Sequence, residues 1–234
     1  MALMIMAAVI MVSAMPALAD INYSESQTYY MNPSRNSGGS ISVWGLTGSQ
    51  SLKKANVKSS APSVVKLGSV SNYNNKTDYY NNNNPYTSKS STIYFSVGKP
   101  GTSTISFKIG SKTYKSKVKV LKYVNPLSSL TVTGVNGGKT IHTKFNKKTE
   151  VDQKVSKSIS NANITVKAKN GWAVTYVNTY NPKTRTNNSI SNYTDVSSLT
   201  LKNVRIPKDA GVNLYVTLQN KSNGGNISLE LVFR

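Results

Sequence analysis

Apolar and polar side chains alternate with a period of two through almost the whole chain, and that alternation leaves few folds open. In residues 104–110 (TISFKIG), Ile105, Phe107 and Ile109 fall on one side, with Thr104, Ser106 and Lys108 on the other. In residues 114–123 (YKSKVKVLKY), Lys115, Lys117 and Lys119 alternate with Ser116, Val118 and Val120. The pattern returns in ITVKAK, GWAVTYV, LTLKNV, VNLYVTLQ and NISLELVF. Successive side chains of a strand point to opposite faces, so this period marks half-buried strands. Helical periodicity of any length is absent. The expected fold class is all-β.

Turn chemistry separates the runs. Lys99-Pro100-Gly101-Thr102 reads as a type II turn, with proline fixing one φ and glycine supplying a positive one. Asn170-Gly171 divides ITVKAK from WAVTYV, and Ser222-Asn223-Gly224-Gly225-Asn226 predicts a terminal hairpin. Short strands every 8–15 residues or so, with turn residues between them, describe antiparallel sandwiches. A boundary is expected in LKYVNPLSSL, where a lysine-rich strand ends near Lys122 and Asn125-Pro126 precedes a new strand at Leu130. Each side then holds roughly 100 residues, the size of an immunoglobulin-like sandwich. The expectation is two immunoglobulin-like antiparallel β-sandwiches in tandem, at 20–123 and 126–234.

A family resemblance appears in the first half. Ser59-Ser60-Ala61-Pro62-Ser63-Val64-Val65 and Lys99-Pro100-Gly101-Thr102-Ser103-Thr104-Ile105 stand in order within 57–120. Together they resemble the two signatures of the bacterial immunoglobulin-like domain, group 2. The resemblance implies an extracellular module of adhesins, wall-protein stalks and enzyme appendages, and it carries no catalytic residues. Where that family has a short hairpin, a tyrosine- and asparagine-rich insertion at 68–92 intervenes. The second half resembles no family beyond the sandwich pattern.

Residues 1–19 (MALMIMAAVIMVSAMPALA) are almost wholly apolar and end in Ala17-Leu18-Ala19, the small-x-small pattern of signal peptidase cleavage. Export is expected although no lysine or arginine precedes the apolar run; no integral membrane span is expected after cleavage. With no cysteine, disulfides and thiolate metal sites are excluded. The charge is lopsided: 29 Lys+Arg against 8 Asp+Glu, formally +21. Such an excess attracts polyanions, and for an exported Gram-positive protein those are wall teichoic acids, acidic glycans or anionic membrane surface. Nucleic acid is not the expected partner, since export and the lack of any nucleic-acid motif speak against it. Lys115, Lys117, Lys119, Lys147 and Lys148 are the candidate polyanion contacts. The same lysines also suit a solvated face that protects strands from edge pairing.

The chemistry on offer is binding rather than catalysis. His142 is the single histidine, placed by the pattern on a strand surface, and cannot build a multi-histidine metal site. Glu150 and Asp152 sit two apart and share a strand face, so a hydrolytic pair, half a calcium site or simple partners for Lys147, Lys148 and Lys154 are open. Glu150, Asp152 and Glu230 are also the carboxylates available to promote a Lys–Asn isopeptide crosslink. No catalytic residue, metal or cofactor is expected. Trp44 and Trp172 are expected in the core. The stretch 72–87, NYNNKTDYYNNNNPYT, holds four tyrosines and seven asparagines. Tyr73, Tyr79, Tyr80 and Tyr86, with Tyr180 and Tyr193 from a second polar loop at 179–195, are the candidate glycan contacts. Rings cover sugar C–H faces while amides bond hydroxyls; a mobile insertion without a ligand is the other reading. Adhesion or glycan and polyanion binding is the expected function. A spacer working through contacts with other surface proteins is the alternative, and a glycan-active enzyme ranks third.

Overall fold

The computed structural model describes residues 21–77, 86–191 and 196–234. The apolar N-terminal segment, Tyr79, Tyr80 and Tyr193 therefore lie outside the described residues. No helix among them is long and apolar enough to cross a membrane.

The first half folds into eight strands: β1 (Asn22–Tyr23), β2 (Ser26–Tyr30), β3 (Ser37–Leu46), β4 (Val57–Ser59), β5 (Val65–Thr77), β6 (Tyr86–Val97), β7 (Gly101–Ile109) and β8 (Lys112–Leu121). They form two sheets, β1-β3-β6-β5 and β2-β8-β7-β4. With β1, β3 and β4 to β8 taken in chain order as strands A to G, these are the ABED and CFG sheets of a constant-type immunoglobulin sandwich. The second half holds β9 (Leu127–Val132), β10 (Glu150–Gln153), β11 (Ile159–Ala168), β12 (Trp172–Asn181), β13 (Thr186–Ser191), β14 (Ser198–Ile206), β15 (Val212–Asn220) and β16 (Asn226–Phe233). Its sheets run β14-β11-β9 and β10-β16-β15-β12-β13, with β13 in the place of the extra strand of variable-type sandwiches.

Each half has its own apolar cluster, because alternation turns one face of every strand inward. Ile41, Val43, Ile93 and Phe95 meet Ile105, Phe107, Val118 and Val120 in the first. Phe107 is wholly buried, with Tyr23 edge-on at 5.2 Å and Tyr114 stacked at 5.6 Å between ring centroids. In the second, Leu130, Ile164 and Val166 face Val177, Leu214, Val216, Leu229 and Leu231, and Trp172 is buried as expected.

Several details depart from the sequence reading. Neither sandwich is purely antiparallel. β2 runs parallel to β8, and β10 parallel to β16. In each case a strand pairs antiparallel on one sheet, and the chain then continues across to the other sheet beside the last strand. Gly101 has φ 152, far from the roughly +80° of a type II turn, so Lys99-Pro100 bends into β7 instead. The strand after Pro126 starts at Leu127 rather than Leu130. His142 sits in a 3-10 turn, His142–Phe145, not on a strand.

Asn125 and Tyr123 pin the passage between the halves. The Asn125 amide donates to His142 O and Asn146 Oδ1, both at 2.9 Å, and accepts from Leu127 N at 3.0 Å. Tyr123 donates to Phe145 O at 2.6 Å, and burial pushes its hydroxyl pKa well up. Ser34 Oγ accepts from Thr149 N at 2.9 Å and Glu150 N at 3.2 Å, while Tyr30 rests against Trp172 with centroids 5.2 Å apart.

Candidate binding surfaces

The described parts of the stretch 72–87, residues 72–77 and 86–87, are strand rather than loop. β5 and β6 continue their ladder through it, pairing Tyr73 with Ser90, Asn74 with Lys89 and onward to Thr77 with Tyr86. The described part of the expected insertion is therefore a long antiparallel hairpin. Alternation carries through: Asn72 takes the parity of Val70 and, though itself exposed, accepts at Oδ1 from Ser91 Oγ at 2.5 Å and from Leu52 N at 3.0 Å. Tyr73 faces out.

Outward-facing Tyr73 has company that the sequence reading missed. Trp44, expected in the core, is instead 49% exposed, and Tyr73 and Tyr94 are 43% and 39% exposed. Ile41 and Val43 take the inward positions of β3, so parity sends Trp44 out. Trp44 and Tyr73 both pair with Ser90, one from each side of β6. Tyr94 lies four residues further along β6, and its hydroxyl meets that of Tyr73 at 3.0 Å. That hydrogen bond favours the neutral phenol and raises the Tyr94 pKa. Strand parity was the missed signal: the positions of Trp44 and Tyr94 relative to Val43 and Ile93 already place both on the polar face.

The opposite sheet of the same sandwich presents a second surface. Lys115, Lys117 and Lys119 are exposed along β8, with Ser116, Val118 and Val120 buried beneath them. Their cross-strand neighbours on β7 are Ser106, Thr104 and Thr102, and on β2 Ser26 and Thr28 lie beside Lys117 and Lys119. Lys58, beside Ser106, and Lys108 complete the same face. Apart from Tyr30 and Leu121, which pair at the far end of β2 and β8, its residues are lysine, serine and threonine.

Lys147 and Lys148 are exposed on the second sandwich and do not join that face. They line a cavity with Glu150, Asp152, Glu230 and Arg234. The carboxylates there are held by arginines rather than by the expected lysines. Arg35 Nε lies 2.9 Å from Glu150 and its Nη2 3.9 Å from Glu230, while Arg234 Nε lies 2.7 Å from Asp152. Glu150 and Glu230 are direct partners across β10 and β16. Asp152 is largely exposed beside Arg234, whereas Glu230 keeps only 16% of its side-chain surface and Glu150 36%. Among the described residues no group of three or more histidine or acidic side chains is placed to hold a metal.

The described part of the second polar loop, residues 179–191, is also a hairpin. β12 and β13 pair from Tyr176 with Ser191 to Asn181 with Thr186. Tyr180 is half-buried on its outer face, away from Tyr73, and shares that face with Tyr176 and, across the ladder, Tyr215. Asn178 stands between Tyr176 and Tyr180, and its buried Oδ1 has no hydrogen-bond partner. The candidate tyrosines thus divide between the two sandwiches. The side chain of Tyr86 is outside what the structure describes.

No family model matches the sequence, and no curated protein matches it. Solved structures with a similar course include domains 4–9 of the surface layer protein SbsC, 14% identical with a TM-score of 0.31, covering 93% of this chain and 31% of that one. The Yersinia pseudotuberculosis adhesin InvE is 13% identical with a TM-score of 0.22, covering 92% and 60%. The titin tandem A164-A165 is 11% identical with a TM-score of 0.21, covering 92% and 96%. The chain thus spans about a third of the SbsC structure's length.

Proposed function

We propose that this chain is an exported, non-enzymatic module of a bacterial surface or wall that adheres by binding anionic polymers. The observation that carries the reading is the outer face of β2-β8-β7-β4: five lysines set among serine and threonine hydroxyls, with no carboxylate. Residues two apart on a strand stand about 7 Å from each other, so Lys115, Lys117 and Lys119 form a straight row of ammonium groups. A row of that kind meets a linear polyanion at successive charges, and the hydroxyls beside it supply hydrogen bonds. The +21 formal charge steers such a polymer from a distance. The resemblance of 57–120 to group 2 bacterial immunoglobulin-like domains fits surface display.

The test is binding of the full chain to purified wall teichoic acid or heparin across a salt series. Affinity is expected to fall steeply with salt, and K115Q/K117Q/K119Q to flatten the log–log slope by about two to three units, as counterion release requires. Salt-independent binding, or an unchanged slope in the variant, overturns the reading.

A second reading, a spacer that works through contacts with other surface proteins, is favoured by the joint. The Ser34, Arg35 and Tyr30 contacts tie the sandwiches together as a stiff strut would need.

A further inference from the structure

We propose that the outer face of β1-β3-β6-β5 is a glycan-binding platform, with Trp44, Tyr73 and Tyr94 as its stacking rings. The inference goes beyond the polyanion reading, since it concerns the other sheet and an attraction that does not depend on net charge. Among the described residues these three make up, with Val124, the large apolar side chains left exposed. Exposed aromatic side chains gathered on one face mark a binding surface. Aliphatic side chains are missing from the face between them. Ser42 and Thr92 occupy the adjacent row and Ser40 pairs with Tyr94, so rings and hydroxyls interleave.

That mixture selects the ligand. Aromatic rings also anchor protein contacts, but here they stand among serine and threonine without aliphatic neighbours, and a sugar offers C–H faces to the rings and hydroxyls to the serine and threonine. Trp44 and Tyr73 are separated by one intervening strand, roughly 10 Å in a sheet, a gap that linked pyranose rings bridge. The rings are also held in advance. The Tyr73–Tyr94 hydroxyl bond joins two side chains on neighbouring strands, and Ser90, between Trp44 and Tyr73, is only 5% exposed although it faces outward. Preorganisation of this kind reduces the ordering cost that makes single-ring stacking weak. Lys66 is the charged side chain among the outward positions of these strands, which bear no carboxylate. The face is thus nearly uncharged, and its occupant is an uncharged polysaccharide chain laid across the strands.

The chain has two tryptophans, Trp44 exposed and Trp172 buried, so acrylamide quenching of the full chain reads Trp44 selectively. The probes are chitin oligosaccharide, cello-oligosaccharide and peptidoglycan stripped of anionic polymers. At least one is expected to shield Trp44 from quencher, with binding insensitive to salt. Titrated calorimetrically, since W44A removes the reporter ring, W44A and Y94A should each weaken that binding about tenfold or more, the loss typical of an anchoring aromatic, and W44F should restore part of it. Both positions are exposed, so the melting temperature should stay within a few degrees and report an intact fold. K115Q/K117Q/K119Q should leave this binding unchanged while altering polyanion binding, which separates the two surfaces. The proposal fails if no probe shields Trp44, if W44A binds as the parent does, or if W44A instead abolishes a concentration-dependent dimer, since the face would then be a contact between copies.

Discussion

Gly98 shows how tightly single positions are constrained where the chain enters β7. Its N–H donates to Val64 O at 2.9 Å, and Lys99 N donates to Ser63 O at 2.9 Å. A Cβ added at Gly98 would lie 2.4 Å from Ser63 O, a backbone atom fixed by that same pairing. Neither partner can give without breaking the turn. Gly98→Ala is therefore expected to cost about 2 kcal/mol or more. That lowers the melting transition of the first sandwich by roughly 10 °C, read by calorimetry on the full chain. A transition within a degree or so of the parent would mean that the turn is not rigid. Gly110 makes the contrast: its added Cβ meets nothing, and the obstacle is its φ of 60 alone.

Among the elements, the segment leaving β2 governs how the halves meet. It offers Ser34 Oγ to two backbone donors of the strand start at Thr149–Glu150, and Thr149 is almost fully buried. Arg35, more than half exposed, spans Glu150 and Glu230. A buried N–H left without an acceptor costs about 1–3 kcal/mol, whereas an exposed ion pair contributes about 0–1 kcal/mol. Ser34→Ala should therefore destabilise the joint more than Arg35→Gln, measured by urea unfolding of the full chain. The reverse order would assign the joint to electrostatics. The hairpins have a different logic. β5 and β6, at 13 and 12 residues, outrun the strands beside them.

For the molecule as a whole, the two apolar clusters share no buried residue: one draws on 41–120 and the other on 127–233. Each has the content of a domain of ordinary size. A fragment of residues 126–234 is expected to unfold cooperatively on its own, at a lower temperature than the same sandwich in the full chain. The reduction comes from Tyr30 and Tyr123, which pack against the second cluster from outside the fragment. Differential scanning calorimetry of fragment and full chain makes the comparison. A fragment with no cooperative transition would mean that the sandwiches fold as one unit.

By itself the sequence determined seven strands, β7, β8, β11, β12, β14, β15 and β16, because period-two alternation is a local property and Ile105, Phe107, Val118 and Val120 obey it without reference to anything distant. It also placed Lys115, Lys117 and Lys119 on one exposed row for the same reason. Tertiary structure decided what lies beside what. The parallel pairing of β2 with β8 joins residues some 90 positions apart, and no local pattern announces it. The asparagine-rich stretch lacks aliphatic side chains and so reads as loop. Pairing with β6 makes the described part of it strand, since ladder hydrogen bonds are indifferent to side-chain hydropathy. Trp44 was assigned to the core on its residue type, but the inward places on β3 belonged to Ile41 and Val43. Which rings share a face was a matter of register across three strands, and register is set only when both sheets close on their core.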